Sequence, residues 1–181
     1  EWHLKYDLKK TNFKGTKISL NLNPGITKNE LLSVLIKDMG FVEPSYNIMF
    51  NDFKINFLRE KYVKTGESII NHKDTEGQVE VLISDSRYFK ERIFTENKDL
   101  IPESFKLIQD GISVCSPSPD DVINDEMLGL FTKKLIESGY MLTIEIPKNI
   151  SLTKGRNEIR YSDREKMRRG IDDALKDSFL T

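Results

Sequence analysis

Trp2, Leu4, Tyr6 and Leu8 alternate with other residues, and after a polar stretch over 9–17 the alternation returns at Ile18, Leu20 and Leu22. Successive side chains of a strand point to opposite faces, so two such runs around a connection containing Gly15 predict an antiparallel hairpin with one buried face. Asn23-Pro24-Gly25 closes the second run, because proline has no N–H for the ladder and glycine takes turn angles without strain. Thr27 and Glu30 then stand at capping-box spacing, and Leu31, Leu32, Val34, Leu35 and Met39 follow at helical intervals. A helix is predicted there, with Gly40 in the left-handed position that ends it. Past Pro44, Tyr46, Ile48 and Phe50 alternate into a polar turn at Asn51-Asp52, and Phe53 and Ile55 resume. Residues 56–77 read as irregular, and 78–84 as a strand with Val79, Val81 and Ile83 on one face.

The second half has weaker periodicity. Residues 87–94 and 102–109 read as short helices, and 111–115 as a strand stopped by Ser116-Pro117-Ser118-Pro119. Asp120 or Asp121 is placed to cap one helix carrying Ile123, Met127, Leu130, Phe131, Leu135 and Ile136 on a single stripe, ended by Ser138-Gly139. Residues 140–146 read as an apolar strand closed by Pro147, so a strand–helix–strand unit with parallel strands is expected. Ser162 and Glu165 offer a second capping box, opening a helix through Asp177.

Composition narrows the class. With 38% hydrophobic and 31% charged residues in 181, the chain is too apolar for disorder. It has no run near the roughly 18 apolar residues of a membrane span, and no signal-peptide pattern. A single cysteine, Cys115, excludes an internal disulfide framework and a cysteine zinc site. The net charge of −1 gives no global attraction to nucleic acid or anionic lipid. Starting at Glu1 rather than Met, the chain reads as a piece of a longer or processed protein of the cytoplasm or nucleus. Charge is uneven: residues 1–84 balance at +1, 85–126 at −5 and 127–181 at +3. That change places a boundary near residues 84–87. The expected fold is α+β, with one domain over 1–84 and a second α/β region with two amphipathic helices over 85–181.

The order of elements in the first half is strand, strand, helix, strand, short strand, loop, strand. Its specific parts are Leu20-Asn21-Leu22-Asn23-Pro24, the Thr27-capped helix, Pro44, and the run Tyr46-Asn47-Ile48-Met49-Phe50-Asn51-Asp52-Phe53-Lys54-Ile55. In this, residues 2–84 resemble the ubiquitin-like β-grasp. The last strand runs past Ser84 with no Gly-Gly terminus, so the resemblance implies an embedded docking domain of the Ras-association or FERM-first-lobe type, not a conjugated modifier. In Ras-association relatives, basic residues on the second strand meet an acidic GTPase edge. The resemblance therefore implies Lys9, Lys10, Lys14 and Lys17 as partner-binding residues and a small GTPase as one acidic partner. A FERM second lobe would be wholly helical, which the strand expected over 140–146 is not.

Chemistry-bearing patterns are sparse. His3 and His72 have no metal-ligand spacing, and no glycine-rich phosphate loop occurs, so no cofactor is expected. Cys115 stands before Asp120 and Asp121, where a reactive thiolate would want positive charge; a buried or half-buried thiol fits better. Asp120, Asp121, Asp125 and Glu126 form an acidic cluster that suits either a helix start or, with Glu145, a Mg²⁺-dependent nuclease or hydrolase. Between Lys148 and Arg169 stand eight Lys/Arg, against Glu158, Asp163 and Glu165. Arginine's fork suits carboxylate or phosphate pairing, and Arg156, Arg160, Arg164 and Arg168 are the candidate partner-binding residues. Tyr161 is the lone aromatic there, which provides poorly for stacked bases. The sequence-level expectation is a non-catalytic docking module for an acidic protein, with a nucleic-acid binder and the metal-dependent enzyme as alternatives.

Overall fold

The computed structural model of the protein describes residues 25–72, 75–93, 101–155 and 158–180. The hairpin expected over 2–22, with Lys9, Lys10, Lys14 and Lys17, lies outside the described residues, as does Arg156. The first described helix, α1 (Lys28–Met39), starts as its capping box requires. Thr27 Oγ1 accepts from the Glu30 N–H at 3.2 Å, and the Glu30 carboxylate accepts from the Thr27 N–H at 2.7 Å. Its buried residue is Ile36, flanked by half-buried Leu32, Leu35 and Met39, whereas Val34 of the expected stripe faces solvent. Gly40 is right-handed, at φ −61°, and not left-handed as expected. Its missing side chain matters for another reason: a Cβ there would meet Leu58 Cγ at 2.8 Å.

A two-stranded ribbon of β1 (Met49–Phe50) and β2 (Phe53–Lys54) turns at Asn51, whose φ of 52° suits asparagine. The stretch expected to be irregular is instead a 3₁₀ turn (Leu58–Lys61) and a long strand, β3 (Val63–His72), paired antiparallel with β4 (Thr75–Asp85). A register shift between Lys64 and Gly66 breaks the period-2 signal there. A short turn of helix, α2 (Ser86–Tyr88), and one π turn (Phe89–Ile93) follow, close to the helix expected over 87–94.

The helix expected over 102–109 is a strand, β5 (Phe105–Gln109), with all five residues buried, so no alternation marks it. It turns at Asp110 and Gly111, both at positive φ (54° and 72°), into β6 (Ile112–Cys115). This is the hairpin turn that Asp-Gly favours. Two helices, α3 (Pro119–Val122) and α4 (Glu126–Glu137), replace the one expected. The chain extends between them at Ile123, and Asp125 restarts the helix by accepting from Met127 N at 2.9 Å and Leu128 N at 3.1 Å. The last strand is β7 (Tyr140–Glu145) and the last helix α5 (Tyr161–Leu180). Because α5 begins before Ser162, the second expected capping box does not form; Asp163 accepts from Ser151 N at 3.1 Å and Glu165 from Arg169.

The fold is mixed α+β, around one five-stranded sheet ordered β3-β4-β7-β5-β6. Among the described strands only β5 and β7 run parallel. β6 pairs antiparallel with β5, so the expected parallel pairing of 111–115 with 140–146 is corrected to β5 with β7. The sheet draws strands from both sides of residue 85, and β4 has neighbours along both edges. On one face Val79, Val81, Leu107, Leu142 and Ile144 meet Met167, Ile171, Ala174 and Leu175 of α5, with Val122 and Leu128 beside them. On the other, Leu82, Ile108 and Met141 are covered by Ile36, Phe41, Ile55, Leu58, Tyr62 and Phe89. This burial is the dominant favourable term holding the layers together. No helix among the described residues is long and apolar enough to cross a membrane.

Two buried polar residues pin the second face. Asn56 is 0% exposed; its Oδ1 accepts from Ile48 N at 3.2 Å, and its Nδ2 donates to Glu43 O at 3.0 Å and to Tyr46 O. Lys106 is 1% exposed and donates to Lys37 O at the end of α1, with Glu103 3.9 Å away. Burial pushes this ammonium below its ordinary value, the Glu103 charge opposing.

Candidate partner-binding cleft

What sets α5 in place is its close approach to β3. A Cβ on Gly66 would lie 2.7 Å from Ser178 and closer still to the Ala174 carbonyl, and one on Gly170 would lie 2.8 Å from Ile70 Cδ1. Hydrogen bonds fix the same contact: Glu67 N donates to Asp177 at 3.0 Å, Ser178 Oγ to Thr65 Oγ1 at 2.7 Å, and Ser68 Oγ to Gly170 O. Held there, the N-terminal half of α5 overhangs the loop after β6 and encloses a cleft of about 420 Å³. Leu107, Val122, Ile159, Met167 and Ile171 floor it; Cys115, Asp121, Glu158, Arg164 and Arg168 wall it.

Helical spacing of four brings Arg164 and Arg168 to one side of α5. Arg164 Nε donates to Ile159 O at 3.1 Å and its Nη2 to Glu158 at 3.2 Å. Arg168 Nε and Nη2 both donate to Asp121 O, at 3.3 and 2.9 Å. Both guanidinium planes are thus fixed by backbone carbonyls, and among the described residues neither Nη1 has a partner. Arg160 lies apart, immediately before α5, where its Nε donates to Leu152 O at 3.1 Å across the Leu152–Ile159 bridge. The sequence candidates therefore divide: Arg164 and Arg168 share the cleft, Arg160 braces the loop beside it, and Lys148 is paired with Asp110 at 2.8 Å.

The cleft carries both signs of charge side by side, Glu158 against Arg164 and Asp121 against Arg168. Burial pushes the Cys115 thiol up to about 11, and Glu158 and Asp121 add to the rise. The thiol is half-buried, as the sequence suggested, and protonated at neutral pH. Asp120, Asp121, Asp125 and Glu145 each have a structural partner. Asp120 pairs with Lys133 at 2.6 Å, Asp121 accepts from Ser118 N and Oγ at 3.0 Å each, Asp125 caps α4, and Glu145 pairs with Arg59. Among the described residues no three His, Cys, Asp or Glu side chains gather as a metal site, and Asp120, Asp121 and Glu145 are not brought together. His72 ends β3, and His3 lies outside the described residues.

The fourfold arginine spacing was visible in the sequence; the cleft was not. Its floor is assembled from β5, α3, the bridge residue Ile159 and α5, which come together only when the sheet forms. Compared with known proteins, the chain matches no family model and no curated protein.

Proposed function

We propose that the protein is a docking module for a partner with an acidic surface, bound through the arginine side of α5. The observation that carries this reading is the pair Arg164–Arg168, anchored by backbone carbonyls with Nη1 of each uncommitted among the described residues. Fixing a guanidinium in advance lowers the side-chain entropy lost on binding and favours bidentate pairing with carboxylates. The likeness of residues 2–84 to ubiquitin-like docking domains supports the same class of role, with Lys9, Lys10, Lys14 and Lys17 as its second basic surface and a small GTPase as one acidic partner. Residues 148–169 also carry Glu158, Asp163 and Glu165, which weigh against a nucleic-acid backbone.

The test is fluorescence anisotropy with labelled polyglutamate and, in parallel, a labelled single-stranded oligonucleotide, at low and physiological salt. Polyglutamate should bind, weaken with salt, and bind at least about tenfold more weakly to Arg164→Gln/Arg168→Gln. Equal binding by wild type and this variant would overturn the reading. Tighter binding of the oligonucleotide than of polyglutamate would replace it with the nucleic-acid alternative.

A further inference from the structure

The cleft walled by Arg164 and Arg168 is more than a charged surface, because its floor is apolar and recessed. Leu107, Met167 and Ile171, at most 1% exposed, back the cleft, and Val122 and Ile159, below a tenth exposed, show it a little surface. At about 420 Å³ the space lies at the small end of ligand pockets, which run from about 300 to 1,000 Å³. It has room for one large side chain and the backbone beside it. Binding energy at protein interfaces concentrates where such a pocket receives an aromatic or aliphatic anchor.

Building on the docking reading, we infer that this cleft takes a linear peptide segment of the partner, in which one large apolar side chain enters the floor and a neighbouring carboxylate meets Arg164 and Arg168. The carboxylate meets the uncommitted Nη1 groups of Arg164 and Arg168, and the apolar side chain lies over Val122 and Ile159. Asp121 remains committed to Ser118, and Glu158 shares only one N–H of Arg164, leaving Nη1 of both arginines for the incoming group. A segment with acid but no anchor leaves the recess unfilled. One with an anchor but no acid leaves the arginines unanswered.

The experiment is selection of a displayed random dodecapeptide library on the full chain, with counter-selection on Arg164→Gln/Arg168→Gln. Enriched peptides should combine an aromatic or large aliphatic residue with an acidic residue within three positions. In a synthesised winner, changing either the apolar or the acidic residue to alanine should weaken binding at least about tenfold. Ser116 is exposed at the cleft's mouth, so Ser116→Trp should block the peptide with an unchanged thermal midpoint, separating a plugged cleft from a misfolded protein. Arginine-dependent peptides with acids and no apolar position would overturn this inference and leave the docking reading standing. No arginine-dependent enrichment would overturn both. Concentration-dependent dimerisation of the chain alone, abolished by Ser116→Trp, would show that a second copy fills the cleft and would also overturn it.

Discussion

Alanine at Gly66 tests how tightly α5 must sit on β3 for the cleft to exist. Two effects oppose each other. In the unfolded chain, alanine has fewer backbone conformations than glycine, which favours folding by about 0.4–1 kcal/mol where the native backbone accepts it. Against this, the added Cβ would lie 2.7 Å from both the amide nitrogen and the Cβ of Ser178, and nearer still to the carbonyl oxygen of Ala174. Two of these neighbours belong to the helix backbone, so no rotamer change relieves the clash. The helix itself must move, and overpacking of this kind costs about 1–3 kcal/mol. The clash wins, and a net destabilisation of about 1–2 kcal/mol follows. For a chain of this size each kcal/mol moves the midpoint by about 2–4 °C, so thermal unfolding followed by circular dichroism should show a drop of about 2–8 °C. Gly25→Ala is the internal control, since a Cβ there meets nothing within 4 Å; it should match or slightly exceed wild type. If Gly66→Ala proves as stable as Gly25→Ala, the account of how α5 is seated is wrong.

Two further outcomes follow from the buried polar residues. Asn56→Ala leaves Ile48 N–H without its acceptor and the Tyr46 carbonyl without its donor, while the Glu43 carbonyl keeps the Tyr46 N–H. Orphaned buried groups cost about 1–3 kcal/mol each, so urea unfolding should show a loss of about 3 kcal/mol, and a loss below about 1 would contradict the clasp. At Lys106 the native ammonium is held below its ordinary value, so above that lowered value the unfolded chain binds the extra proton and stability rises with pH up to the ordinary lysine range. Wild type should therefore gain on Lys106→Met between about pH 7 and pH 10 in paired thermal melts, and parallel curves would refute the burial argument.

How much of this was legible from the chain depends on whether the signal was local. The α1 capping box was, because Thr27 and Glu30 satisfy each other three residues apart whatever surrounds them. The turn between β1 and β2 and the strand at Tyr140–Glu145 were legible for the same reason. Asp110-Gly111 carried an equally local signal for the β5–β6 hairpin, but the uninterrupted burial of Phe105–Gln109 hid the strand leading into it. A strand sealed on both faces has no polar side from which to read a period. β3 failed for the opposite reason, its alternation broken by the irregularity at Lys64–Gly66 and diluted by polar residues along the sheet edge.

The candidate site shows the same division more sharply. The spacing of Arg160, Arg164 and Arg168 fits a helix face, and the structure keeps Arg164 and Arg168 together for that reason. Which of the three face the cleft was decided by acceptors outside the helix. Arg168 is fixed by the carbonyl of Asp121, 47 residues earlier, and Arg160 is drawn off by Leu152. Helix periodicity therefore proposes a row of charges, while tertiary acceptors choose the rotamers and so the surface that a partner meets. Arginine suits such a role because it can spend two donors on the scaffold and still offer a planar face outward. A lysine at either position would satisfy the carbonyl or the ligand, but would not present both in one fixed plane.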